Sequence, residues 1–434
     1  PWPEGFDPSK GTVSRAVATC PVCGGMVEAK TTRRLFQEGK AGQRMVAVVL
    51  KHPQRRGKTY RLPTAEDVRI FREAETALQE KREQLMLEWG MNPVPDEAIH
   101  TPNGEEYKPG GFYYNFTPIL LYGMTRWGDL FNARQLLALI TFAEKVRQAY
   151  EQMAAKGVEP EFARAVATYL ALGVDRLADK NSVLCRVIPQ TEAIGFTFGR
   201  QALPMLWDHI EMNPGEHNSG WRVVLKELLA NIEHCCSFET TPAVVTPSSA
   251  TQLSYSDAYF DAVLTDPPYY DNVPYADLSD FFYVWLKRTV GNLYPDLFST
   301  PHTPKSSEAI AELPLLRGMN KAKAAKVVKG IKTSTHFEQM LERAFREIHR
   351  VLKPDGIAVI VYAHKSTTGW ETVVNALLDS GLVMTGAWPL RTEMKARLRA
   401  QESAALASSI YIVARKMARQ PTGFYNEVRE ELRR

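Results

Sequence analysis

The chain reads as an α/β protein whose carboxyl-terminal part is a doubly wound sheet. Three observations predict this. From about Thr241, short β-branched runs alternate with amphipathic helical runs. "IAVIVYA" (Ile357–Ala363) is continuously apolar, the pattern of a parallel strand covered on both faces. "FDAVLT" (Phe260–Thr265) runs straight into Asp266-Pro267-Pro268-Tyr269, where two prolines without N–H groups must end a buried strand.

The elements follow in order. Residues 1–62 are rich in Gly, Lys and Arg, with short β-like runs such as Met45–Leu50, and read as a small β-rich module. Residues 63–215 form a mostly helical region. A charged helical stretch from Thr64 to Met91 opens it, and a Pro/Gly/Asn loop from Asn92 to about Gly111 follows. "NARQLLALITFAEKVRQAYEQM" places Leu136, Leu137, Ile140, Phe142, Ala143 and Val146 close to helical spacing. The segment from Glu159 to Asn181 has the same character, with Pro160 in its first turn. "GWRVVLKELLANIEHC" is a further helix.

Residues 216–417 are the sheet domain, and 418–434 a charged tail. "AVV" (Ala243–Val245) and "FDAVLT" are strands. "THFEQMLERAFREIHRVL" is a helix with Phe337, Leu341, Phe345, Ile348 and Leu352 on one face, and Thr335 with Glu338 at its start matches a capping box. Pro354-Asp355-Gly356 ends it. "GWETVVNALLDS" is a helix closed by Gly381. "VMTGAW" and "SSIYIVAR" complete the strands. Connections of this kind, right-handed and un-knotted, give an open sheet.

Bulk properties narrow the function less. The 434 residues are 44% hydrophobic with a formal charge of +4, which permits a nucleic-acid partner without requiring one. Five cysteines, an odd and sparse set, do not form a disulfide framework and point to a reducing, cytoplasmic setting. No apolar run is long enough to span a membrane. There is no nucleophile elbow, P-loop or pair of histidines at metal-ligand spacing.

Ligands bind such sheets at the carboxyl ends of their strands. Asp266, Pro267, Pro268 and Tyr269 stand at one of them. A carboxylate and the Pro267 carbonyl can accept both protons of an exocyclic amine, and Tyr269 offers a ring on which a base can stack, worth about 1–3 kcal/mol. Drawing the nitrogen toward tetrahedral geometry frees its lone pair for attack on a methyl sulfonium. The bland alternative is a proline turn that merely closes a strand.

The motif and its surroundings resemble a known family. "TDPPYYDNVPYADLSDFFYVWLKR" and "RVLKPDG" look like the catalytic half of S-adenosylmethionine-dependent amino-methyltransferases. With "ATCPVCGG", "RQLLALITFAEKV", "AVATYLALGVDRLADKNSVLCR", "FTFGRQALPMLWD", "YPDLF" and "ALASSIYIV", the chain resembles the adenine-specific DNA methylases that carry a zinc ribbon. The resemblance implies a partial Rossmann-like class I methyltransferase sheet, a zinc-ribbon-like module at residues 1–62 and a helical insertion that recognises the target. It implies catalysis of methyl transfer to the N6 amine of a flipped adenine in DNA by Asp266, Pro267, Pro268 and Tyr269. Restriction-modification and phage defence are roles it implies by family alone. The family's glycine-rich cofactor loop and the acidic residue after it are not found in this sequence. The chain therefore reads as a carboxyl-terminal part. It would need an upstream segment or a companion subunit to complete the cofactor site, and Ser249, Ala250, Thr251 and Asp266 would be its own contacts with S-adenosylmethionine.

Cys20 and Cys23 make a Cys-x-x-Cys knuckle of the right form for zinc, but supply two of four ligands. The resemblance implies the other pair upstream, hence zinc in the intact protein and an empty or weakly held half-site in this chain. Cys185, Cys235 and Cys236 read as buried small apolar residues. Tyr269, Tyr270, Asn272 and Tyr275 are candidates to hold the base, or equally to pack the turn. Lys305, Lys321, Lys323, Lys326, Lys329 and Lys332 could meet phosphates or be a solvated face. Arg391, Thr392 and Glu393 could line the cleft. Phe281, Phe282 and Trp285 read as the core face of a helix. The open alternatives are N4-cytosine methylation, an RNA or protein-amide acceptor, and a non-catalytic DNA-binding subunit.

Overall fold

A computed structural model describes residues 11–14, 17–20, 22–52, 57–100, 116–216, 219–238, 241–269, 273–310, 334–364, 367–390 and 409–417. The chain divides into two compact units. Unit 1 comprises Pro1–Thr240 and Pro274–Ser306, and unit 2 comprises Thr241–Val273 and Ser307–Arg434.

Unit 1 opens with a small antiparallel sheet of β1 (Val13–Ser14), β2 (Val17–Thr19) and β3 (Met26–Val27), then α1 (Ala29–Gln37) and a hairpin of β4 (Val48–Lys51) and β5 (Lys58–Arg61). The expected β-rich character is present, although none of the described residues between 11 and 62 is buried. α1 is held by an edge-to-face trio of Phe36, Tyr122 and Trp207, with centroids 5.4–5.5 Å apart. Gln37 also donates to the Leu121 carbonyl at 3.0 Å.

The helical region follows the sequence signals closely. α2 (Ala65–Trp89) is capped by Thr64, whose hydroxyl accepts from the Asp67 N–H while the Asp67 carboxylate accepts from the Thr64 N–H. Gly90, at φ 65°, ends it. α3 (Ala133–Ala155) is capped reciprocally by Asn132 and Gln135, and α4 (Pro160–Lys180) starts on Pro160 with Glu159 accepting from the Glu161 and Phe162 N–H groups. α5 (Trp221–Cys236) and α6 (Tyr275–Val290) complete the bundle. Its core includes Leu139, Ile140, Val174, Leu177, Phe281, Val284 and Trp285, all at most 1% exposed. Phe281 stacks on Phe131 at 5.8 Å, and Trp285 meets Phe131 edge-on at 5.5 Å. Phe281 and Trp285 are therefore core residues, as expected, and Phe282 stands half-buried beside them.

Unit 2 holds β8 (Phe260–Thr265), numbered after a two-stranded pair of β6 (Val187–Ile188) and β7 (Ala193–Ile194) in unit 1. Then come α7 (Ser334–Val351), β9 (Leu352–Tyr362), α8 (Thr367–Asp379), β10 (Leu382–Leu390) and β11 (Ser409–Lys416). The strand order is β10-β11-β9-β8, with β8 and β9 parallel and the other two pairs antiparallel. One face packs on α7 and α8 through Ala358, Ile360, Tyr362, Ile412, Phe337, Leu341, Phe345, Val373 and Leu377. The opposite face, with Ala262, Leu264, Ile357, Val359, Val361, Tyr411 and Val413, is half-buried or exposed. The continuous apolar run of β9 thus buries one side fully and the other only in part.

Three further expectations differ from the structure. "AVV" is not a strand; it lies in a stretch without a ladder partner, with Val244 81% and Val245 88% exposed. Pro354-Asp355-Gly356 does not merely stop α7. It is absorbed as an irregularity in the β8–β9 ladder, which pairs Phe260 with Leu352 and then Ala262 with Ile357. Of the three cysteines expected in the interior, Cys185 is buried while Cys235 and Cys236, in the last turn of α5, are exposed. Gly381 does close α8 in the left-handed conformation, at φ 82°.

Candidate active site at the end of the parallel strand

β8 carries the motif because its ladder with β9 runs to the Thr265–Ile360 pair and stops one residue before Asp266. Asp266 is exposed, Pro267 buried, and Pro268 and Tyr269 half-buried. Burial of Pro267 fixes the turn, and the carboxylate before it faces solvent. Tyr269 packs against the core of unit 2 and meets Tyr362 edge-to-face, with centroids 5.4 Å apart and planes at 78°. Tyr362 in turn meets Trp370 edge-on at 5.2 Å and stacks on His364 at 6.3 Å. The Trp370 indole N–H donates to the His364 carbonyl at 3.0 Å. The carboxyl end of β9 and the start of α8 therefore place an aromatic wall beside Tyr269. Sequence reading missed Tyr362, His364 and Trp370; the available signal was an aromatic and a histidine at the end of an apolar strand, followed by a tryptophan opening a helix.

The turn with Ser249, Ala250 and Thr251 is local and self-bonded. Ser249 Oγ lies 2.8 Å from Thr251 Oγ1, and Gln252 N–H donates to the Ser249 carbonyl at 3.0 Å. The chain just after it is clipped to the last turns of α7. Arg350 donates to the Tyr255 carbonyl at 2.7 Å, the Leu253 carbonyl at 3.0 Å and Asp257 at 2.8 Å, and Glu347 accepts from the Leu253 N–H at 2.8 Å. The Arg350 guanidinium, then the Leu253 N–H, holds the Glu347 carboxyl below its ordinary value. Since α7 runs directly into the start of β9, this clip sits at the amino end of β8, opposite Asp266. No described bond joins the Ser249–Thr251 turn to Asp266.

The remaining candidates fall in unit 1 or outside the described residues. Tyr270 and Asn272 lie outside the described residues, as do Lys321 to Lys332 and Arg391 to Glu393. Tyr275 is the first residue of α6 in unit 1 and is 54% exposed. Lys305 does not stand free for a phosphate. Its ammonium lies 2.6 Å from Asp280, which is fully buried and also accepts from the Thr303 N–H and hydroxyl.

Cys20 and Cys23 form a knuckle. Gly24 N–H donates to the Cys20 carbonyl at 2.9 Å, Cys20 N–H to the Gly25 carbonyl at 2.8 Å, and Gly24 takes φ 69°. Backbone N–H groups of Cys23 and Val22 point at the Cys20 sulfur and lower its pKa. Two exposed thiols in such a turn suit a soft cation, but among the described residues no group of three or more His, Cys, Asp or Glu side chains could hold a metal. A complete structural zinc site is not assembled by them.

Comparison with known proteins adds little. No family model matches the chain, and no curated protein does. Among solved structures the chain is similar to a proposed DNA modification methylase from Thermus thermophilus, at 14% identity. The likeness covers 41% of this chain and 53% of that one, about half its length, with a TM-score of 0.19, too low to carry an argument.

Proposed function

We propose that unit 2 is the amine-binding half of an S-adenosylmethionine-dependent DNA methyltransferase acting on the N6 amine of a flipped adenine. The observation that carries this reading is an exposed carboxylate followed by a buried proline at the carboxyl end of the parallel strand β8. In this reading Asp266 accepts one amino hydrogen and the Pro267 carbonyl the other. The nitrogen lone pair is then free to form the N–CH₃ bond; a bound S-adenosylmethionine would supply the methyl, its S–CH₃ bond breaking to leave a neutral thioether, and Asp266 takes the proton the amine gives up. Tyr269, braced by Tyr362, presents the remainder of its ring to the base. The glycine-rich cofactor loop of the family that the chain resembles is not found in this sequence. The chemistry assigned to this chain stops at the amine, and the cofactor half is assigned to an upstream segment or a companion subunit.

The test is transfer of a labelled methyl group to duplexes whose only exocyclic amines of one kind are adenine or cytosine. Asp266→Ala should reduce incorporation by at least about 100-fold while leaving duplex affinity within about 2-fold. Incorporation only into the cytosine duplex would assign the same turn to N4 chemistry. Full activity of Asp266→Ala would refute the reading. A second reading, a non-catalytic DNA-binding subunit, is favoured by the missing glycine-rich turn. It predicts that Asp266→Ala changes nothing.

A further inference from the structure

The charge of this chain is strongly asymmetric. Residues 1–62 hold twelve Lys and Arg and four Asp and Glu, a net +8, while the whole chain is only +4, so the remaining residues are net negative. The stretch Gly39–Leu62 contains seven Lys and Arg and no carboxylate at all. Such segregation on one module is the electrostatic footprint of a polyanion partner.

The structure turns this count into a surface. None of the described residues between 11 and 62 is buried, so the module spends almost none of its side chains on a core. It is nonetheless held in place. α1 is fixed by its Phe36, Tyr122 and Trp207 trio, and the hairpin by the Lys58 ammonium on the Glu192 carbonyl. Arg61 grips Asp67 in the first turn of α2 through two bonds, at 2.6 and 2.9 Å. Arg34 and Lys40 share Glu38. Arg33, half-buried, lies over the Tyr122 ring. Of the described cations Lys30, Arg44 and Lys51 remain; all three are exposed and make no ion pair among the described residues. On the same hairpin Tyr60 is 58% exposed, cross-strand from Val49. A two-stranded ribbon of this kind matches the width of a nucleic-acid major groove. An exposed aromatic among cations suits contact with bases or sugars.

We propose that this N-terminal module, through Lys30 of α1, Arg44 and the Lys51 end of the β4–β5 hairpin, binds the phosphate backbone of nucleic acid. The inference rests on charge and exposure in unit 1 and does not depend on the chemistry assigned to Asp266.

The experiment uses the full chain and a fluorescein-labelled 25-base-pair duplex, with affinity read by anisotropy between 50 and 200 mM KCl. Each phosphate contact contributes about −0.9 to the slope of log K against log salt. Lys30→Glu/Arg44→Glu/Lys51→Glu should weaken binding more than 10-fold at 50 mM and flatten the slope by about 2.7. Lys145→Glu/Lys156→Glu/Lys226→Glu, an equal charge change on exposed positions elsewhere in unit 1, should keep most of the affinity and slope. Equal behaviour of the two triple variants, an unaltered first variant, or no binding by the parent chain would overturn the proposal. So would equally tight, variant-sensitive capture by vesicles of 30 mol% anionic phospholipid, which would assign the surface to a membrane. Asp266→Ala distinguishes the two readings: it should leave this binding intact, whatever it does to methyl transfer.

Discussion

Gly356 is a point at which the architecture of unit 2 is sensitive to a one-carbon change. It lies in the irregular start of β9, beside the strand that carries Asp266. A Cβ added there would sit 2.8 Å from Leu352 Cγ and Cδ1 and 3.0 Å from the Asp261 carbonyl oxygen. Leu352 is fully buried and the Asp261 carbonyl is backbone, so neither can yield as a flexible side chain would. Overpacking of this kind costs about 1–3 kcal/mol. Gly386, in β10, is the control: its nearest neighbour to an added Cβ is Trp388 Nε1 at 3.5 Å, ordinary contact. The assay is native-state hydrogen exchange of the Ile357–Tyr362 amides, which reads unit 2 without requiring the whole chain to melt as one. Gly356→Ala should speed their exchange by about 5- to 150-fold, the equivalent of 1–3 kcal/mol, and Gly386→Ala by less than about 3-fold. Equal protection in the two variants would refute the claim that Gly356 is required by close approach.

Other outcomes follow from the same geometry. Ile360→Ala, at a fully buried position, should destabilise unit 2 by about 2–5 kcal/mol, whereas Leu264→Ala, 76% exposed, should change it by under about 0.5 kcal/mol; similar urea midpoints would contradict the burial pattern. Burial, with Asp179 one turn away, raises the Asp175 carboxyl well above its ordinary 3.8. A raised folded-state value means stability is fully present below the unfolded pKa and is lost as pH rises from about 4 through the folded value. Asp175→Asn should therefore flatten the fall in urea midpoint with pH and raise it near neutrality; an unaltered slope would show that Asp175 is not its source. The backbone N–H groups of Cys23 and Val22 lower the Cys20 thiol, and burial raises that of Cys185. Iodoacetamide at pH 7.5 should therefore alkylate Cys20 well before Cys185, as read by peptide mass spectrometry.

The helical elements were legible because their signals are local. Thr64, Asn132, Pro160 and Gly381 each act within one turn, and the spacing of Phe337, Leu341, Phe345 and Ile348 states which face is buried. The end of β8 just before Asp266 was legible because two prolines after an apolar run leave few alternatives. What was not legible depended on partners distant in sequence. Ala243–Val245 has β propensity but no neighbouring strand, so propensity alone did not make it one. Lys305 looked like one of several loop cations, but a buried aspartate on α6 binds it. Cys235 and Cys236 fit a helical pattern whose apolar side simply ends before them. The charge of the first 62 residues was readable from the beginning, but it disappears when averaged into a chain total of +4.

The parallel ladder between β8 and β9 has a consequence for the order of assembly. β9, α8, β10 and β11 follow one another within Leu352–Lys416, so their pairings span fewer residues than the pairing of β8 with β9 does. β8 joins them only across the whole stretch from Thr265 to Leu352, which includes α6, a helix that folds into the other unit. Closing so long a connection is entropically slow and is rewarded late. Pulse-labelling during refolding should find β9 and β11 protected while Phe260–Thr265 still exchanges. Asp266 would then be set in place in the final step, after the aromatic wall beside its motif has formed.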